Sequence, residues 1–322
     1  MDENAKKIDV KSILSSYMIY LVLVIMIILI SIASGGRFLN INNILNVLRQ
    51  VTITGTLAIG MTAVLVTGGI DLSVGSVMAI AGCVATDYAH SYSSVPFPAA
   101  LLIGIGIGIL FGLLNGVLIA YVKAPPFIVT LGVQSISRGI AYIYTKGSPI
   151  TDLSEPYLFI GKGSIAGIPF PVFLFAAIIL FNVYVLHFTK TGRYIYAIGN
   201  NEAAAIASGV NTKRNKLLVY VNCGLLSGFA GILLASRTSS AVPNAATGYE
   251  LDAIAAAVIG GTSTAGGVGT VYGTAVGILI LGVLTNGLDL LNVSSYIQQI
   301  VKGIVIITAV VMDVADKKNA KA

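Results

Sequence analysis

A chain of 322 residues in which 56% are hydrophobic and only 10% are charged cannot wrap a core in a polar shell, which excludes an ordinary water-soluble domain. Nineteen basic against thirteen acidic residues give a net charge of +6, but the cations are scattered over loop ends without aromatic interleaving, which excludes a nucleic-acid footprint and marks them as topology determinants. The apolar runs are about 17 to 22 residues long, the length of a bilayer-spanning helix rather than of a β-barrel strand, so the class is an all-α, polytopic membrane protein.

The N-terminal stretch MDENAKKIDVK is charged and is followed by no small-residue cleavage site, so it is expected to be retained. Spans then follow at about Ser16–Ala33, Val51–Thr67, Gly75–Ala89, Pro98–Tyr121, Phe127–Tyr144, Val172–Phe188, Leu217–Ala235, Leu251–Gly260, Val268–Asn286 and Tyr296–Met312, ten in all, the eighth being short. An even number puts both termini on one side. Lys6, Lys7, Lys11, Lys123, Lys190, Arg193, Lys213, Arg214, Lys216, Lys317, Lys318 and Lys321 then share that side, which the positive-inside rule makes the cytoplasm. The longest outer loop, residues 146–171, carries glycine and proline punctuation that suits a short hairpin or helix.

Signatures of catalysis are thin. His90 and His187 are far apart, no HExxH or GxSxG pattern occurs, and Cys83 and Cys223 fall inside apolar runs where a thiol behaves as a small hydrophobe. No GxxxxGK[ST] loop is present, so this chain is expected to bind no ATP by that route and to hold no metal.

Glycine is spent in patterns. Gly104, Gly108, Gly112 and Gly116 recur every four residues and Gly224 and Gly228 repeat the spacing, which gives smooth helix faces for close packing, static or sliding. Two glycine pairs interrupt apolar runs, in VLVTGGIDLSVGSV at 64–77 and AAVIGGTSTAGGVGTV at 256–271, and the shared order of helix, Gly-Gly, polar stretch and next helix reads as two interrupted-helix repeats of the same orientation. Irregular backbone at membrane depth is tolerable only where it is buried in protein or lines a cavity. Thr67, Gly68, Gly69, Asp71 and Ser73 in the first break, with Asp252, Gly260, Gly261, Thr262 and Ser263 in the second half, are therefore candidates for a translocation pathway. Asp71 and Asp252 each also fit a plain helix cap or a place at the interface, with capping ahead. Arg138, in GVQSISRGIAYIY, is costly in a span unless it snorkels outward or pairs, and it fits either snorkelling or an outer vestibule.

Between the sixth and seventh spans lies the basic loop 190–216 with the stretch GNNEAAAIASGV. Asn201 is a good N-cap, Glu202 complements the helix dipole, Ala203, Ala204 and Ala205 have the best helix propensity, and Gly209 supplies a left-handed stop. A helix of about two turns is below the length that is stable alone in water, so it must lean on a partner or on its own membrane domain.

EAA followed by Gly209 in a large cytoplasmic loop resembles the coupling motif of bacterial ABC importer permeases. The words GRYIYAIGNNEAA, GYELDAIAAAVIGGTSTAGG, TGGIDLSVGS and NGLDLLNVSSYIQQIVKG are similar to the ribose-type permease subunits of sugar importers, and the likeness runs from about Phe38 to Asp313. Four residues rather than three separate EAA from Gly209 and no Leu-Pro follows, a departure from the general motif that agrees with the sugar branch. The resemblance implies one permease domain over 1–322 in a bacterial inner membrane, acting as a homodimer. Two ATP-binding subunits, which carry the ATP and Mg, would dock on Asn201, Glu202, Ala203, Ala204, Ala205, Ser208 and Gly209, and an extracytoplasmic sugar-binding protein would deliver a pentose. Permeases for other monosaccharides, nucleosides or a sugar-like signal share that architecture. A secondary carrier coupled through intramembrane ionisable groups, or a passive channel, would need no ATPase.

Overall fold

The computed structural model describes residues 10–90 and 96–321, and only the backbone of 10–17 and 316–321. Lys6 and Lys7, with most of MDENAKKIDVK, lie outside the described residues, as do the side chains of Lys11, Lys317, Lys318 and Lys321. The chain is mostly helical, and each of the ten apolar stretches coincides with a helix. Among the described residues six helices are long and apolar enough to cross a membrane.

In chain order the helices are α1 (Val10–Ala33), α2 (Ile41–Val66), α3 (Val74–Tyr88), α4 (Phe97–Ala120), α5 (Pro126–Thr145), α6 (Glu155–Lys162), α7 (Phe170–Val183), α8 (Lys190–Asn200), α9 (Glu202–Ala207), α10 (Thr212–Thr238), α11 (Tyr249–Ile259), α12 (Val271–Leu290) and α13 (Ser295–Lys321). Four of them, α4 to α7, carry proline in the first turn, where its missing N–H costs nothing and its fixed φ starts the helix. The loop 146–171 forms both candidate elements: α6 and a two-residue hairpin pairing Ser164 with Pro169 and Ile165 with Ile168.

Helices α2 and α10 make the centre. From Val51 to Val66 α2 is buried on every side, and α10 packs on α4, α3 and α2. The α4–α10 crossing is built from the two glycine stripes. A Cβ on Gly112 would stand 2.6 Å from the Tyr220 carbonyl oxygen, and one on Gly228 2.6 Å from the Gly104 oxygen, so each stripe admits the other backbone and nothing larger. By contrast α13 is not buried along its apolar window, and Tyr296, Ile300, Ile304, Ile307 and Val311 form an open apolar face.

Several helices run beyond the ends read from the sequence, α2 furthest, and one helix is added. Helix α2 begins at Ile41, ten residues before Val51, because its polar first turns find partners: Asn43 and Asn286 of α12 exchange amide hydrogen bonds at 2.9 Å, and Arg237 of α10 donates to Asn46 at 3.2 Å. The loop 190–216 holds α8 as well as α9, since Gly192, Ile195 and Ile198 form a buried stripe at helical spacing on an otherwise polar segment.

Candidate functional site

Helix α9 is six residues long and forms where its capping chemistry puts it. The Asn201 side chain accepts from the Ala204 N–H at 3.0 Å. At the other end Gly209 (φ +79°) donates to Ile206 O at 2.9 Å and Val210 N–H reaches Ala205 O at 3.0 Å, the Schellman pattern that closes a helix with a left-handed residue. Glu202 pairs with Lys216 of α10 at 2.7 Å, an exposed ion pair worth at most about 1 kcal/mol. Ala205 faces the protein, whereas Asn201, Glu202, Ala203, Ala204, Ile206, Ala207, Ser208 and Gly209 are exposed. The outward surface is small side chains around one exposed isoleucine, with open space above Gly209.

Both glycine pairs close helices in the same way. Thr67 caps α2, Gly68 (φ +75°) bonds to Leu65 O at 2.8 Å and Gly69 to Val64 O at 3.1 Å. Gly260 caps α11, Gly261 (φ +84°) bonds to Val258 O and Thr262 to Ala257 O, both at 2.9 Å. Positive φ is free for glycine and strained for other residues, which is why Gly68 and Gly261 sit at these two stops.

Beyond the first stop, Asp71 is 1% exposed. Its carboxylate accepts from the Ser73 N–H at 2.9 Å and the Ser73 hydroxyl at 2.6 Å, an Asx turn just before α3 rather than a cap on the helix itself; Asn115 of α4 donates to it at 3.3 Å and to Ser73 Oγ at 2.9 Å. Asp252 lies in the first turn of α11 but is held by Lys302 of α13 at 2.9 Å. Thr262 and Ser263 are buried, and Asp313 of α13 gathers Ser263 Oγ at 3.0 Å, Thr264 Oγ1 at 3.0 Å and the Thr264 N–H at 3.1 Å, which fastens the 260–270 loop to α13.

Arg138 is partnered rather than left alone in its helix. Its guanidinium donates to the carbonyls of Pro243 at 2.6 Å and Ala245 at 2.8 Å, in the segment joining α10 to α11. Four residues earlier on α5, Gln134 donates to Glu250 at 3.1 Å. A cavity of about 270 Å³ lies between that segment, α3 and α10, with a lining that includes Met78, Gly82, Leu234 and Val242 and none of the pathway candidates. Asp252 borders a smaller one of about 50 Å³ with Gln50, Thr54, Tyr249 and Lys302.

The structure brings the two breaks together with the end of α8. Gly267 N–H donates to Val66 O at 2.9 Å, so the second loop hydrogen-bonds to the last turn of α2. Gly199 lies against both: a Cβ there would meet Val66 O and, at 2.5 Å, Gly267 N. Gly266 in turn lies against Gly199 O and Gly68 N, where a Cβ would stand 3.0 Å from each. Tyr196, one turn earlier, donates from its hydroxyl to Gly269 O at 2.7 Å, and its ring stacks on His187 at 6.3 Å. Burial pushes the Tyr196 phenol above its ordinary range, which keeps it a neutral donor. Sequence reasoning missed Tyr196, Gly199, Lys302, Asp313 and Asn115, all of which act on partners more than 40 residues away. The one local signal was Gly199 directly before the asparagine pair.

Residues 43–310 match the family described as "Branched-chain amino acid transport system / permease component". The Ribose import permease protein RbsC of Escherichia coli (strain K12) is 47% identical over 282 residues, covering 86% of this chain and 87% of that protein. The protein of the same name from Bacillus subtilis (strain 168) is 47% identical over 285 residues, 88% of this chain and 87% of its own. The Xylose transport system permease protein XylH of Haemophilus influenzae (strain ATCC 51907 / DSM 11121 / KW20 / Rd) is 35% identical, over 89% of this chain and 93% of that protein. No solved structure matches.

Proposed function

The chain belongs to the family of branched-chain amino acid transport system / permease components, and from that premise we propose that it is the membrane permease of an ATP-driven importer whose substrate is ribose. The family description names amino acids, but a match spread over most of the chain at 47% identity carries more substrate information than a family description, and those relatives are named for ribose. Relatives named for xylose stand lower, at 35%.

The observation that carries the ATP-driven reading is α9. A six-residue helix with one buried alanine and an exposed face of small side chains has little to hold it on its own domain, and it offers close backbone approach to a partner. We assign that partner as the ATP-binding subunit, which supplies the nucleotide and Mg that this chain has no motif to hold. The remaining parts of the reading are ten spans, both termini and the α8–α9 end in the cytoplasm of a bacterial inner-membrane protein, a second copy of the permease, and an extracytoplasmic sugar-binding protein. ATP hydrolysis in the partner then becomes alternating access through rocking of the helices. Thr67, Gly68, Gly69, Asp71 and Ser73 with Gly260, Gly261, Thr262 and Ser263 serve this cycle at the inner ends of α2 and α11, and Asp252 and Arg138 brace α11 and its outer approach.

Reconstitution of the permease with its two partners in vesicles tests the reading. Ribose uptake that needs ATP and the binding protein is expected, with xylose and other sugars slower. Uptake that proceeds without ATP would assign the chain to a carrier or channel instead.

A further inference from the structure

Helix α9 follows Asn200 after the single capping residue Asn201, so the docking helix begins two residues beyond the place where three backbone segments touch. Those segments are 66–68 at the end of α2, 199–200 at the end of α8 and 266–267 in the loop between α11 and α12. They are held by the Gly267–Val66 hydrogen bond and by contact of Gly199 with both neighbours. The 260–270 loop continues the connection to α13 through Asp313. The contacts of Gly199 and Gly266 are backbone to backbone, and the one side chain at the joint, Asn200, is itself packed against Gly267, so a displacement of α8 has little to absorb it locally and passes to α2, α11 and α13.

We propose that Tyr196 and Gly199 are the positioning residues of a transmission joint that ties the ATPase docking helix to both interrupted helices at once. Gly199 supplies the close approach. Tyr196, steadied by the His187 ring and bonded to Gly269 O, fixes the rotation of α8 relative to the loop. The proposal rests on the importer reading, but it assigns these two residues to coupling rather than to docking, because neither belongs to the exposed face of α9.

The distinction is measurable in proteoliposomes holding the permease, the ATP-binding subunit and the sugar-binding protein. The readouts are ATP hydrolysed per labelled ribose taken up, and the amount of ATP-binding subunit that co-purifies with the permease. Tyr196→Phe removes one hydroxyl and is expected to keep co-purification at the wild-type level while raising the ATP-to-ribose ratio about fivefold, the weight of one lost hydrogen bond. Gly199→Ala forces a methyl against Val66 O and is expected to raise the ratio by roughly tenfold or more. Should Gly199→Ala fail to accumulate, Tyr196→Phe decides. An unchanged ratio in Tyr196→Phe, or uptake and hydrolysis falling in equal proportion, overturns the joint while leaving the importer reading intact. A wild-type complex with no ATP-dependent uptake would overturn both.

Discussion

Lys302 of α13 holds Asp252 of α11 at 2.9 Å, with the two side chains 26% and 14% exposed. The pair joins α13, whose apolar window holds no fully buried residue, to the short helix α11 and adds to the packing of Val305, Ile306, Ala309 and Val310 on the core. Removing one partner leaves a half-buried charge uncompensated. Asp252→Ala is expected to cost about 2 kcal/mol and Lys302→Ala less, with the double variant recovering part of the loss, a coupling of about 1–2 kcal/mol. Thermal unfolding of the purified variants in one detergent measures the cycle, and strictly additive losses would deny the pair its bracing role.

The exposed face of α9 makes a separate prediction. Ala204→Asp places a charge at the centre of the small-residue surface, and Gly209→Val puts a β-branched residue at φ +79°. Both variants should reach the membrane at normal levels, because the topology signals Arg193, Lys213 and Arg214 are untouched. Both should lose co-purification of the ATP-binding subunit and at least tenfold of ribose uptake, since an unpaired charge in a desolvated contact costs several kcal/mol. If both retain binding and uptake, the stretch is a connector.

Arg138 holds the segment before α11 by two charge-assisted bonds to carbonyls, each worth about 1.5–3 kcal/mol. Arg138→Gln is expected to loosen residues 241–248, visible as faster amide hydrogen exchange there, and to reduce uptake several-fold without changing ATPase co-purification. Unchanged exchange would show that the cavity-backed segment is held by other contacts, such as the bridge between Ile150 and Ala241.

The glycine seam between α4 and α10 predicts a stability effect without a docking effect. Gly112→Val would drive its side chain into the backbone at Tyr220 and Val221, and overpacking of this kind costs about 1–3 kcal/mol or more. Membrane level and melting temperature should both fall. Gly106→Val, on the open side of the same helix where a Cβ meets nothing within 4 Å, should leave both close to wild type.

What the sequence determined by itself is what closes within a few residues. The apolar runs gave the helices because a backbone in a bilayer must satisfy its own hydrogen bonds. Asn201 and Gly209 gave the ends of α9 because a cap acts on a donor three residues away and a left-handed glycine on the turn just before it. The glycine spacing on α4 announced a close contact, though not that its partner is the stripe on α10. Only the tertiary structure decided the rest. It chose Lys302 for Asp252 and two loop carbonyls for Arg138, and it let the polar start of α2 stay helical through Asn286 and Arg237. It also seated the end of α8 against both glycine breaks. These contacts join segments from 50 to more than 240 positions apart, and no periodicity along the chain encodes which distant backbone will fill the space that a missing Cβ leaves open.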